Sequence, residues 1–339
     1  MSSDFHCRFE PGVDPIQMAK KLAHLCTAKR GASLDQDLLY FDALSAAGWT
    51  GICSQSDYRS TFEGFSFHWI ASVIKDHLAD TKFKQRRVDV IGLGCGDGIK
   101  EAELLRSLLD ISKEFELTCH LVDKSSPLLI TAHRNLTNTF KEGKNVLVRE
   151  YLADIMHLSN LVTLFDGEDS QNVLRVGTMF GGTLGNLDNE LRFIKDSLRS
   201  FKSGDLVIVD VVLGFAPYTD SDAIWSEDPR LAFSGTYQEA TENWLLGTLN
   251  RYRSFSGNTM IENRLHTNPS TSPIQKTYTV ELHAVTEQGH ERADFNMLRL
   301  HRYDQEEFIA AFVKQGFRRL AGKTYGINNK KLIYVFIKE

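Results

Sequence analysis

The chain has 339 residues, 42% of them hydrophobic and 24% charged, and carries a net charge of −5. That length buries a full core with room for a second, smaller unit, and the negative balance argues against a nucleic-acid partner, which needs a clustered basic surface. No apolar run approaches the roughly 18–20 residues of a membrane span, and MSSDFHCRFE is not a signal peptide. The five cysteines are scattered without a CxxC pair, so reduced thiols in a cytoplasmic protein are expected, with neither disulfides nor structural zinc.

In chain order, PIQMAKKLAHLCTAK (15–29) repeats apolar residues at helical spacing, and FHWIASVIKDHLADTKF (67–83) does so again. The basic run Lys82-Phe83-Lys84-Gln85-Arg86-Arg87 that follows reads as a solvated edge ahead of a strand. From Val88 onward short apolar runs alternate with amphipathic helices. VDVIGLG (88–94), ELTCHLVD (116–123), NVLVREYLAD (145–154), VGTMFGGTLGN (176–186) and DLVIVDVVLG (205–214) read as strands. GIKEAELLRSLLDIS and SPLLITAHRNLTNTF lie between them as helices. Asp188 is the candidate cap of a further helix that carries Leu191, Ile194, Leu198 and Phe201 on one face and ends at Gly204. The run 205–214 has apolar residues on both parities, as a strand covered on both faces requires. Such alternation predicts a Rossmann-like, doubly wound α/β sheet.

The pattern breaks near Phe215. A helix, YQEATENWLLGTLNRYRS, precedes three alternating segments: NTMIENRLHT (258–267), QKTYTVELHAVTE (275–287) and ADFNMLRLHRY (293–303). Connections this short exclude parallel pairing, so an inserted antiparallel meander is predicted. Its histidines form no HxH or HxxxH pair, and no metal site is expected. The insertion's aromatics Trp225, Phe233, Tyr237, Trp244, Tyr252 and Phe255 are mostly core candidates, with pocket lining as the other reading. Asp304 and Glu307 then form a capping box for EEFIAAFVKQ, and GFRRLAGKTYG with KKLIYVFIKE closes the chain as a terminal antiparallel hairpin.

VDVIGLGCGDG places Gly94, Gly96 and Gly98 at the turn from the first strand of this series into its helix, where a ligand approaches backbone without Cβ atoms in the way. Asp123 ends the next strand, where a carboxylate can accept two ribose hydroxyls. A dinucleotide fingerprint fails here, because G-x-G-x-x-G begun at Gly92 or Gly94 lands on Asp97 or Ile99. G-x-G-x-G with an internal carboxylate suits a ligand without phosphate, such as S-adenosylmethionine. Asp154 is placed to accept from an adenine amino group.

LGCGDG, HLVDKS and LADI resemble the glycine, ribose and adenine motifs of class I methyltransferases. TMFGGTLGNLDNELRFIKDSLRSFKSGDLVIVDVVLG resembles the corresponding stretch of the histidine-specific methyltransferase family. The resemblance is specific over about residues 90–214 and architectural elsewhere. It implies helices at 1–80 and an insertion at 215–303 that form a smaller substrate domain. The cofactor-binding domain would be 81–214, completed by 304–339. It implies S-adenosylmethionine as cofactor, with Phe180 and Gly181 beside it, and a substrate-holding role for Asn186 and Tyr58. Tyr40 or Phe41 stands at the place of a second substrate tyrosine. Positioning is implied, with no catalytic acid or base. The family's acidic residue before the glycines is Gly92 here. Leu298 and Leu300 replace the polar pair that binds imidazole in histidine-methylating members, which implies an apolar pocket and an amino acid or small amine other than free histidine. O- or C-methylation of a small metabolite and a catalytically silent cofactor-binding protein are the alternatives.

Overall fold

The computed structural model describes residues 16, 19–21, 23, 32–33, 39–40, 42–55, 65–80, 87–140, 146–161, 173–214, 238–252, 258–266, 271–288, 291–326 and 331–339. Tyr58 and Phe41 lie outside these residues, as do Trp225, Phe233, Tyr237, Phe255, most of the basic run and most of the helix expected at 15–29.

Five parallel strands form the centre of a seven-stranded sheet: β2 (Arg87–Leu93), β3 (Glu116–Asp123), β4 (Val146–Leu152), β5 (Val173–Met179) and β6 (Leu206–Val212). The terminal hairpin, β10 (Phe317–Tyr325) and β11 (Lys331–Lys338), adds on antiparallel, giving the order β10-β11-β6-β5-β2-β3-β4. Both faces of this sheet are buried, and the period-2 alternation of strand side chains assigns residues to each. Val88, Val90 and Ile208 join Ile70, Ile74, Leu104, Leu108 and Leu136 on the face covered by α2 (Phe67–Asp80), α3 (Ile99–Ile111) and α4 (Ser126–Thr139). Ile91, Leu93, Val207 and Val209 join Phe193, Leu198, Phe308, Phe312 and Phe336 on the other.

A second sheet pairs β7 (Asn258–His266), β8 (Tyr278–Gln288) and β9 (Glu291–Arg302) antiparallel in the order β9-β8-β7, as the meander predicts. The short β1 (Ala32–Ser33) pairs in parallel with β9. The two ends of the insertion are held side by side. Tyr303 N donates to Val212 O at 3.0 Å and Gly214 N donates to Tyr303 O at 2.8 Å, so the main sheet is undisturbed by what lies between.

Three local expectations are corrected. The strand expected over 176–186 stops at Met179, because Gly181 and Gly182 take φ of +81° and +72° and the chain turns into a 3₁₀ turn, Thr183–Asn186. The following helix is capped by Asn189 rather than Asp188, Asn189 Oδ1 accepting from Arg192 N at 2.8 Å, and it passes through a π turn, Phe193–Ser197. Asp304 caps α6 (Gln305–Val313) by accepting from Glu306 N and Glu307 N, but Glu307 does not reciprocate; it pairs with Lys276 at 3.0 Å.

Helix α1 (Ala43–Ser54), capped by Asp42, packs on α5 (Gln238–Tyr252) from the insertion. A Cβ on Gly48 would lie 2.4 Å from Trp244 N, so the two backbones meet at this glycine. Gly51, one turn on, would place a Cβ at an ordinary 3.5 Å from Ala240 Cβ. Gly48→Ala should therefore destabilise the protein by about 1–3 kcal/mol, as overpacking does. Gly51→Ala should be neutral or stabilise it by up to about 1 kcal/mol through helix propensity. Chemical denaturation of the two variants checks this, and equal effects would show that the helices do not cross at Gly48.

Candidate functional site

Strand order reverses on either side of β2, whose neighbours are β3 and β5, so a cleft opens at the carboxyl ends of these strands. The glycine turn leaves β2 there, with φ of +69° at Gly94, +56° at Gly96 and +71° at Gly98, values that strain other residues. The three glycines do different work. A Cβ on Gly94 would meet Thr183 Cγ2 at 2.9 Å, while one on Gly96 would point toward Trp49 Nε1 at 3.7 Å. A Cβ on Gly98 would strike Ala132 Cβ at 2.8 Å and Leu136 Cδ1 at 2.9 Å, so this glycine lets α3 approach α4 and does not line the cleft.

Asp123 holds this turn. Its Oδ2 accepts from Gly96 N at 3.0 Å and its Oδ1 from Ser125 N at 2.9 Å. Ser125 in turn caps α4 and donates from Oγ to Tyr40 O at 2.6 Å. Burial pushes the Asp123 carboxyl up, and the hydrogen bonds from Ser125 and Gly96 oppose it. Asp154, after β4, accepts from Met156 N at 2.8 Å and so caps a 3₁₀ turn while lining the cleft. At the N-terminus of α3, Asp97 Oδ1 accepts from Ile99 N at 3.2 Å.

The loop after β5 is fixed by a buried acid that sequence reasoning missed. Asp210 on β6, 1% exposed, accepts from Gly181 N at 3.0 Å, Gly182 N at 2.8 Å and Tyr325 OH at 2.9 Å. A charged residue inside the otherwise apolar run LVIVDVV was the available signal. The loop leads into the turn that carries Asn186, and this turn presses on β9, where a Cβ on Gly185 would lie 3.0 Å from His301 O. Asn186 Oδ1 is buried without a hydrogen-bond partner.

These elements enclose a cavity of about 370 Å³. Tyr40, Gly94, Gly96, Asp123, Asp154, Phe180, Gly181 and Asn186 all line it. So do residues that sequence reasoning did not single out, chiefly Trp49, Lys100 and Glu101. Trp49 lies 6.0 Å from the Tyr40 ring and 4.9 Å from that of Trp244, which is itself buried behind the cavity. Leu298 and Leu300 do not line it. A β-bulge pairs Leu282 with Leu298 and His283 with Asn296, leaving Met297 without a partner residue, and both leucines turn into the core. Arg299 takes the other face and reaches Asp188, at the cavity wall, at 3.4 Å, and Glu281 at 3.7 Å. Among the described residues no cluster of His, Cys, Asp or Glu suits a metal ion, and no helix is long and apolar enough to cross a membrane.

No family model and no curated protein matches the chain. Solved structures do. An S-adenosylmethionine-dependent methyltransferase from Clostridium acetobutylicum shares 12% identity over 85% of this chain and 94% of its own, with a TM-score of 0.41. The sugar N-methyltransferase KedS8 from Streptoalloteichus sp shares 13% identity over 84% and 93%, with a TM-score of 0.40. The methyltransferase CcbJ from Streptomyces caelestis shares 12% over 80% and 89%, with a TM-score of 0.41. At such values the function has to be read from the site itself.

Glu101 gives the site a pH signature. It is 2% exposed, and burial pushes its carboxyl up from 4.5 to about 7. The folded chain therefore holds this proton more tightly than the unfolded one. The stability that the protonated form provides is complete below about pH 4.5 and is lost as pH rises through about 7. Thermal unfolding of the ligand-free protein across this window should show wild type losing stability relative to Glu101→Gln, with the gap constant above it. A gap independent of pH would contradict the buried, proton-holding carboxyl.

Proposed function

We propose that the chain is an S-adenosylmethionine-dependent methyltransferase acting on the amino nitrogen of an amino acid or related small amine. One observation carries this reading: the same cavity joins a glycine turn, pinned by a buried carboxylate, to the unpartnered buried amide oxygen of Asn186. A buried acceptor left unpaired costs about 1–3 kcal/mol, which a donating N–H from a ligand would recover.

The residues fit the cofactor. Asp123, fastened by backbone N–H groups, keeps lone pairs for ribose hydroxyls, and Gly96 leaves open the space a side chain would fill. Asp154 stands at the adenine end. The carboxylate of Asp97 already accepts from Ile99 N at the start of α3, so a pyrophosphate meets a carboxylate where a dinucleotide would need bare N–H donors. When bound, S-adenosylmethionine supplies a methyl group on a sulfonium, open to in-line displacement by a lone pair.

The chain's own part is placement. Asn186 accepts one N–H of the amine and so aims its lone pair, while Tyr40 and Trp49 wall the cavity. Burial disfavours the ammonium form of an amine whose ordinary pKa is near 8, so no strong base is required. The motif likeness to the histidine-specific family over 178–214 supports the amine assignment. Substrate choice then falls to the cavity wall at Asp188, which Arg299 reaches at 3.4 Å, rather than to Leu298 and Leu300, which do not line this cavity.

Calorimetry should show S-adenosylmethionine binding without NAD binding, and Asp123→Ala should weaken that binding by at least about tenfold. Asn186→Ala should leave cofactor affinity within about twofold of wild type and lower kcat/KM for the amine by about tenfold or more. A mass-spectrometric screen of amino acids and amines, scored for gain of one to three methyl groups, identifies that amine. Binding of NAD in place of S-adenosylmethionine would overturn the reading.

A further inference from the structure

Glu101 is the buried acid of the cavity that the foregoing account leaves without a task. It is carried on the first turn of α3, yet its side chain folds back under the end of β2. A Cβ on Gly92 would lie 3.0 Å from Glu101 Cγ and 3.2 Å from its Oε1, so a side chain on the strand at 92 and the Glu101 carboxylate exclude one another. Thr178 on β5 donates to Oε1 at 3.4 Å, a long hydrogen bond. The carboxylate thus sits between β2 and β5 and faces the cavity.

The order of the strands says what reaches it. Asp154 follows β4, Asp123 ends β3, and the glycine turn leaves β2. A ligand with its nucleobase at Asp154 and ribose at Asp123 extends its remaining end over β2 and β5. In S-adenosylmethionine that end is an amino acid with a cationic amino group.

We propose that Glu101 binds the α-ammonium of the cofactor's amino-acid end, delivering from a helix the carboxylate that the strand cannot carry at Gly92. The proposal rests on the cofactor assignment above. The groups facing Glu101 are Asp97 and Cys95 on the turn, Lys100 on its own helix and Cys119 on β3, with Asp123 lining the same cavity. Burial pushes both thiols well up, so neither competes as an anion. Because Glu101 holds a proton to about pH 7 in the free protein, an arriving ammonium displaces it, and binding is coupled to proton release.

Two ligands test this: S-adenosylmethionine and 5′-methylthioadenosine, which has the nucleoside and no amino acid. Glu101→Gln should weaken the first by more than about tenfold and leave the second unchanged. In wild type near pH 6, calorimetry in buffers of different ionisation enthalpy should show proton release with the first ligand only; this arm needs no variant. Glu101→Ala combined with Gly92→Asp should recover part of the lost affinity. Equal binding of S-adenosylmethionine by wild type and Glu101→Gln, equal loss of both ligands, or no proton release would overturn the assignment and leave the cofactor reading standing. Failure of wild type to bind either ligand would overturn both.

Discussion

A single carboxylate, that of Asp123, fastens the glycine turn to the start of α4. Its oxygens accept from Gly96 N and Ser125 N, and Ser125 passes the constraint to Tyr40. A turn with three residues at positive φ has no intrinsic reason to hold one shape, and a buried charge has no reason to stay buried unless it is hydrogen-bonded. Each solves the other's problem. The result is a ledge at the carboxyl end of the sheet, with the Asp123 carboxyl lining the cavity.

The same device recurs across the cleft. Asp210 accepts from Gly181 N and Gly182 N, and Tyr325 OH ties that acid to the terminal hairpin. The turn bearing Asn186 is thereby positioned from the main sheet on one side and pressed on β9 on the other. Next to it, Glu190 accepts from His301 Nδ1 at 2.5 Å and from Tyr303 OH at 2.7 Å, so the second sheet is bonded to the segment that follows Asn186. Through these contacts the inserted sheet shares in fixing the cavity wall although it lies outside the parallel fold.

The parallel strands were legible because a strand covered on both faces needs an unbroken apolar run, and β3 falls on 116–123 as its run predicts. The glycine turn and the acids ending β3 and following β4 were legible because glycine is favoured where φ is positive and a carboxylate at a strand end can accept from backbone N–H groups. Where sequence reasoning failed, partners lay far along the chain. Asp210 looks out of place in its strand until the two glycine N–H groups about 28 residues earlier are brought to it. Trp49 stands in a stretch without a regular apolar period, and Glu101 reads as an ordinary helix residue. The extra residue at Met297 leaves no mark on the alternation of β9, yet it turns Leu298 and Leu300 into the core and Arg299 toward Asp188. In the loop after β5 the apolar alternation outweighed Gly181 and Gly182, which end the strand.

The central claim is that the ledge at Asp123 and the amide of Asn186 belong to one site that holds a nucleoside sulfonium. A crystal structure with S-adenosylhomocysteine tests it most directly. The account predicts the ribose hydroxyls within hydrogen-bond distance of the Asp123 carboxylate, with the sulfur turned toward Asn186. A nucleoside bound outside the cavity, or a ribose that leaves Asp123 untouched, would contradict it.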